Sequence, residues 1–164
     1  IVQMMEAGDA FVIKPFGIRA MDSMRLEKSY RLSPREMSIE YSAYESGLDR
    51  FVKLDKENDF IGKSALKDWQ DRGPINGFVT LEVLGVVDAD ARGSEAIYKD
   101  GEVIGRATSG GYGWRCDKSL ALGLVKLELA ALGTELEIEI LGEKYKAIVI
   151  EESPFDSTNE CLRS

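Results

Sequence analysis

In the segment TELEIEIL, Leu136, Ile138 and Ile140 alternate with Glu135, Glu137 and Glu139. A period of two puts the aliphatic side chains on one face and the carboxylates on the other, which predicts a strand with one wet face. Related patterns fill the second half of the chain: GFVTLEV from Gly77, LALGLVKL from Leu120 and KYKAIVIEES from Lys144. Between them AIYKDGEVIGRATSG predicts a hairpin, because Asp100-Gly101 suits the positive φ angles of a type I′ turn. The run Leu141-Gly142-Glu143 predicts the turn before the last strand. Five or six short strands in about 80 residues predict a small antiparallel barrel or sandwich.

Upstream of Arg72-Gly73-Pro74 the texture is helical. One helix is predicted over Phe16 to Tyr30 and another over Gly62 to Arg72, with Gly73 as its C-cap and Pro74 as its stop. The short apolar run Phe51-Val52-Lys53-Leu54 predicts a strand between them. The fold class is therefore α+β, with a change of domain at residues 73 and 74.

The first helix carries an anomaly. In RAMDSMRLEKSYR, Arg25 shares a stripe with Ile18 and Met21, where a core residue belongs. A guanidinium in that place needs an anionic or hydrogen-bonding partner. Asp22, three residues earlier, is the local partner, and a ligand-facing role is the alternative. A second stripe holds Arg19, Leu26 and Tyr30, with Ser23 beside it. An arginine and a phenol in line can flank an anionic, ring-bearing ligand, or Tyr30 can be a core aromatic with its hydroxyl at the rim.

Composition narrows the chemistry. The chain has 164 residues, 44% hydrophobic and 30% charged, and no apolar run long enough to span a bilayer. Membrane insertion is therefore not expected, and a net charge of −8 argues against a nucleic-acid partner. The two cysteines, Cys116 and Cys161, form no close-spaced motif, so no disulfide framework or metal site is expected, and a reducing, cytoplasmic setting is. The absence of histidine removes Ser-His and Cys-His activation and the two-histidine zinc motif. Gly110-Gly111-Tyr112-Gly113 reads as a flexible strand connection rather than a phosphate cradle, since no Lys-Ser/Thr pair follows. Met4, Met5, Met21 and Met24 read as core filler, and Glu151-Glu152 as a solvated strand end. Asp88, Asp90 and Arg92 fall in a loop after a strand, a place that hosts either function or plain solvation. The chain begins Ile-Val-Gln-Met-Met, without initiator methionine or signal pattern, and is read as part of a longer protein.

The ordered series GIRAMDSMRLEKSYR, AYESGLDRFVKLDKENDFIGKSAL, GEVIGRATSGGYG, KSLALGLV and SPFD resembles the folate-binding aminomethyltransferase superfamily. That superfamily includes the glycine-cleavage T-protein and the C-terminal portions of dimethylglycine and sarcosine dehydrogenases. The runs RLEKSYR and FVKLDK…DFIGKSAL look more like the flavin-linked dehydrogenases. Within the T-protein pattern Ala-Arg-Asp-Ser…Arg-Leu-Glu, Ala20, Asp22, Ser23, Arg25, Leu26 and Glu27 match, while Met21 replaces the first arginine. After Tyr30-Arg31 the Trp-Gly of the dehydrogenases is replaced by Leu32-Ser33-Pro34.

The resemblance implies that residues 1–73 end an α/β folate-binding domain and that residues 74–164 form a C-terminal β-barrel. It implies tetrahydrofolate as the ligand, with Tyr30 and Arg92 carried over as contacts and Arg25 added by its place on the helix. The catalytic acid, FAD and its domain would lie in an N-terminal remainder of the parent, so this chain is expected to contribute no catalytic residue and to be inactive alone. The intact enzyme would demethylate a methylated amine at the flavin and pass the one-carbon unit to tetrahydrofolate. The alternatives are part of a stand-alone T-protein-like aminomethyltransferase, or a non-catalytic interaction module that keeps the fold.

Overall fold

The computed structural model describes residues 1–163. Among the described residues four α-helices occur, α1 (Val2–Gly8), α2 (Ile18–Glu27), α3 (Lys63–Arg72) and α4 (Glu160–Arg163). The strands are β1 (Asn76–Val83), β2 (Ala96–Lys99), β3 (Glu102–Gly113), β4 (Lys118–Lys126), β5 (Glu135–Ile140) and β6 (Glu143–Ile150). They close in the order β1-β4-β3-β2-β5-β6, with every pairing antiparallel and β6 returning to β1. Closure removes the unpaired edges that many short strands otherwise expose. No described helix is long and apolar enough to cross a membrane.

The alternation reads through directly. In β5, Leu136, Ile138 and Ile140 are buried in the barrel core with Val79, Leu81, Ile97 and Val149, while the intervening glutamates stay outside it. Asp100 and Gly101 both have positive φ and close the β2–β3 hairpin, as Leu141 and Gly142 close the β5–β6 hairpin. β4 shows no alternation because both faces are covered. Ala121 and Val125 face the barrel interior, whereas Leu120 and Leu122 meet Leu26 of α2 on the outside, flanked by Phe78 and Ile150. Burying a leucine such as Leu26 contributes roughly 1.5–3 kcal/mol.

Several sequence expectations change in the first half. α2 stops at Glu27 instead of Tyr30, because Ser29 turns into the left-handed region and its N–H donates to the Leu26 carbonyl while that of Tyr30 donates to Arg25. The strand expected at 51–54 is absent: Asp49–Phe51 makes a 3-10 turn, Phe51 is exposed, and the segment borders an apolar groove against Leu66 of α3. With no strand beside it, that run has no ladder to join. The methionines are not core filler, since Met4, Met21 and Met24 are exposed and Met5 is half-buried. α3 meets its expected end, with Gly73 at positive φ and its N–H bonded to the Trp69 carbonyl. Among the described residues no disulfide forms.

Gly110 to Gly113 lie inside β3 and are not a connection. Their missing side chains let other segments lie against the strand. A Cβ on Gly110 would sit 2.5 Å from the Ala91 carbonyl oxygen, and one on Gly111 3.2 Å from Leu26 Cδ1. Substituting Gly110→Ala forces the 84–95 loop off β3, and a cost of about 1–3 kcal/mol is expected from overpacking. A denaturant midpoint for Gly110→Ala equal to wild type counts against this packing account.

Candidate functional site

A cleft of about 900 Å³ opens between α2, β3 and the 84–95 loop. Arg19, Asp22, Ser23 and Leu26 line it from α2, the i, i+3, i+4, i+7 spacing of one helix face. The second stripe of the sequence, not the one holding Arg25, therefore faces the cavity. Ser23 Oγ donates to the Tyr112 carbonyl at 2.6 Å and fixes α2 on β3.

The opposite wall comes from β3 and the loop. Gly110, Gly111, Tyr112 and Trp114 contribute from the β3 side, and Asp88, Asp90 and Arg92 from the loop. Tyr112 and Trp114 meet edge to face, with centroids 4.9 Å apart and planes at 70°. The loop is shaped by its own acids: Asp90 Oδ1 accepts from Ser119 Oγ at 2.6 Å, and Glu95 accepts from the N–H groups of Arg92 and Gly93 at 2.8 and 2.7 Å. Those bonds fix the backbone of Arg92, whose exposed residue lines the cleft. Two cations, several carboxylates and two aromatic rings thus surround one concave surface, the mixture that binds a ring-bearing ligand with an anionic end.

Of the three residues singled out from sequence, Arg92 lines the cleft, while Arg25 and Tyr30 do not. Arg25 is largely withdrawn from solvent beneath it. Its Nε donates to Asp22 Oδ1 at 2.6 Å, the local partner expected from the i, i+3 spacing, and its Nη1 donates to the Tyr30 carbonyl at 3.2 Å. A second carboxylate, Glu36, stands 3.6 Å from Nη1, a partner eleven residues away that no local pattern announced. Arg25 Nη2 is buried without a hydrogen-bond partner. Tyr30 is exposed beyond the helix end.

Other functional candidates resolve into framework. Glu151 and Glu152 do follow the last strand, but Glu152 pairs with Arg31, whose guanidinium also lies 3.9 Å from the Phe78 ring centre. Glu27 is buried and accepts from the Arg115 N–H, tying the helix end to the β3–β4 turn. Burial raises the Cys116 thiol above its usual range, with nearby Glu27 acting in the same direction, which suits a structural thiol. Among the described residues no cluster of histidine, cysteine or carboxylate side chains has a metal-binding arrangement.

Comparison with known proteins gives these features a setting. Residues 77–156 match the family model of the glycine cleavage T-protein C-terminal barrel domain, and residues 2–56 match that of the GCVT N-terminal domain. The chain is 42% identical to the mitochondrial dimethylglycine dehydrogenase of Homo sapiens over 90% of its own length and 17% of that protein. It is 35% identical to an aminomethyltransferase of Bacillus cytotoxicus, again over 90% of its length and 40% of that protein. The crystal structure of glycine cleavage system aminomethyltransferase T from Bartonella henselae superposes with a TM-score of 0.79 at 26% identity, covering 86% of this chain and 39% of that one. The chain thus spans well under half the length of each of these relatives.

Tyr112 offers a pH marker within the cleft. Its hydroxyl donates to Asp117, and that bond, followed by partial desolvation and the nearby charges of Asp117 and Asp90, raises the phenol above its ordinary value of 10.0. The neutral phenol is the form that donates, so the bond persists throughout the physiological range and is lost only in strong alkali. Asp117→Asn is expected to lower the Tyr112 titration toward the ordinary tyrosine value, read by ultraviolet absorbance against the Tyr112→Phe variant. An unchanged titration would remove Asp117 as the cause.

Proposed function

Because the chain belongs to the glycine cleavage T-protein family, we propose that its cleft is one wall of a tetrahydrofolate site in a larger enzyme of the dimethylglycine or sarcosine dehydrogenase kind. Residues 1–73 would complete a folate-binding domain with upstream parts of the parent, and residues 74–164 would form the barrel that backs it. In this reading FAD and the demethylation chemistry belong to those upstream parts.

The observation that carries the reading is the chemistry of the cleft. Tetrahydrofolate has a pterin ring with N–H donors and an anionic glutamate tail. Asp22, Asp88 and Asp90 offer acceptors, Tyr112 and Trp114 offer aromatic surface, and Arg19 and Arg92 offer cations. The residues present fit the group. Bound tetrahydrofolate supplies the nitrogen that takes up the one-carbon unit; the residues of this chain bind and orient it. Arg92 is a direct contact in this proposal, Arg25 acts through Asp22, and Tyr30 meets whatever part of the ligand extends past the end of α2. By resemblance to the family, the acid that moves the proton at the reactive nitrogen belongs to the upstream domain.

A stand-alone aminomethyltransferase is the second reading, since the chain is also 35% identical to the aminomethyltransferase of Bacillus cytotoxicus over 90% of its own length. The length of the parent distinguishes the two, since only the dehydrogenase carries a flavin domain upstream. The common claim is tested by calorimetry of the chain and of its intact parent with tetrahydrofolate. Binding is expected to be weak for the chain, whose cleft is open on one side, and tight for the parent. Arg92→Ala in the parent is expected to weaken binding by about tenfold or more, the loss of one charge-assisted hydrogen bond. Tight binding by the chain alone means that the site is complete within these residues. No binding by either protein removes the folate reading and leaves the interaction module.

A further inference from the structure

Glu36 is the most completely enclosed carboxylate near the cleft, with no solvent exposure, although it comes from an irregular segment and not from the barrel. Its Oε1 accepts from Thr108 Oγ1 and from Ser109 Oγ, each at 2.6 Å. Its Oε2 accepts from the Leu32 N–H at 2.8 Å and faces Arg25 Nη1 at 3.6 Å. The residue's own backbone is held as well, because Ser46 Oγ donates to the Glu36 carbonyl at 2.8 Å.

The double hydroxyl contact requires an irregular strand. Successive residues of a regular strand point to opposite faces, so Thr108 and Ser109 cannot ordinarily reach one oxygen. The β3–β4 register shifts between Ala107 and Ser109, which places Thr108 in a bulge. A bulge re-aims a side chain, and here it brings both hydroxyls to the same carboxylate oxygen. The residues that follow, Gly110 and Gly111, form a wall of the cleft.

On its other side Glu36 stands against Arg25, whose Nε holds Asp22, and Asp22 lines the facing wall. One buried carboxylate therefore connects both sides of the cavity, through Thr108 and Ser109 to the β3 wall and through Arg25 to the α2 wall. The 2.6 Å hydrogen bonds from Thr108 and Ser109 are closed to water and charge-assisted, which makes them strong, and the 3.6 Å contact with Arg25 is an ion pair in the same enclosed space.

We propose that Glu36 is a positioning residue of the cleft, one that sets the spacing of its two walls and the orientation of Asp22 without touching the ligand. The functional half of this statement rests on the folate reading; the geometric half does not. Two consequences follow. Loss of the Glu36 charge frees the Arg25–Asp22 pair to turn, and loss of the two hydroxyls frees Gly110-Gly111, so either change alone loosens the cavity.

The test uses amide hydrogen exchange by NMR on the ligand-free chain, followed by titration of the chain and the intact parent with tetrahydrofolate. Glu36→Gln keeps the volume and removes the charge, while the double variant Thr108→Val/Ser109→Ala keeps the charge and removes the β3 contacts. Glu45→Gln is the control. Glu45 is also buried but bonds Ser42 and Asn76, which do not line the cleft. Glu36→Gln is expected to speed exchange at Asp22, Ser23, Gly110 and Gly111 by tenfold or more while leaving Leu136 to Ile138 unchanged, and to weaken tetrahydrofolate binding by about tenfold. The double variant should weaken binding similarly, and the control should lower the melting temperature without either local effect. Unchanged exchange at both walls in Glu36→Gln overturns the proposal. So does wild-type affinity in both cleft variants, or an equal loss in Glu45→Gln, which would reveal a general stability effect. If Glu36→Gln fails to fold, the double variant and Arg25→Lys decide by the same readings. Absence of binding by the wild-type chain and parent defeats the folate reading alone, and the exchange pattern still judges Glu36.

Discussion

The close approach of α2 and the 84–95 loop to the glycine-bearing stretch of β3 governs the arrangement of the cleft and its walls. Gly110, Gly111 and Gly113 remove the side chains that would hold Ala91, Leu26 and Glu27 away. With α2 seated there, Leu26 completes a small apolar cluster with Leu120 and Leu122, and β4 becomes buried on both faces. The cleft is the space left where the helix and the loop come to the same strand from different sides. It is a property of the packing, so a side chain added at one of these glycines changes the cavity as well as the stability.

The barrel and the segment before it are stabilised by different means. The barrel has a continuous apolar interior drawn from all six strands. In the first 75 residues, α1 and α3 bury no residue, and the enclosed groups are mostly polar: Glu27, Ser29, Glu36, Glu45 and Ser46. Each is joined to a neighbour by hydrogen bonds, as burial requires. Glu45 shows the balance plainly. Desolvation pushes its carboxyl up, but hydrogen bonds from Ser42 and Asn76 outweigh that and hold it below its ordinary value. Its ionised form therefore favours the fold at neutral pH, and that contribution fades as acid titrates the group. Polar ties of this kind fix geometry well and bury little apolar area, which agrees with the exposed Phe11, Phe16, Phe51 and Ile61 on the same part of the chain.

Legibility in the sequence followed this division. Strands of the barrel are local objects: alternation in β5 and the Asp100-Gly101 turn state their structure within a few residues. The pairing of Arg25 with Asp22 was readable for the same reason, being one helix turn long. The end of α2 was not, because Ser29 adopts its left-handed conformation while its hydroxyl bonds Thr80 and the Ser153 N–H, far along the chain. Nor did the apolar run at Phe51 disclose that it lacked a pairing strand. The methionines were misplaced because helical spacing shows that a stripe exists and does not tell which stripe is covered; the covered one here carries Leu26.

The candidate site was readable as a region and not as a set of contacts. The resemblance pointed to Tyr30 and Arg92, of which Arg92 alone lines the cleft, and Arg25, added by its place on α2, lies behind the α2 wall. What it left out was the part that holds the walls in place, because Glu36 works through residues more than seventy positions away in a strand bulge. A single glutamate in a charged, irregular segment has no periodicity to mark it. The one available signal was the unexplained arginine: a guanidinium on a helix stripe that already has Asp22 still leaves donors to satisfy, and five N–H groups are more than one carboxylate can accept. Counting the donors of a misplaced charge therefore points beyond its nearest partner, and here that count leads from Arg25 to the carboxylate that joins the helix to the barrel.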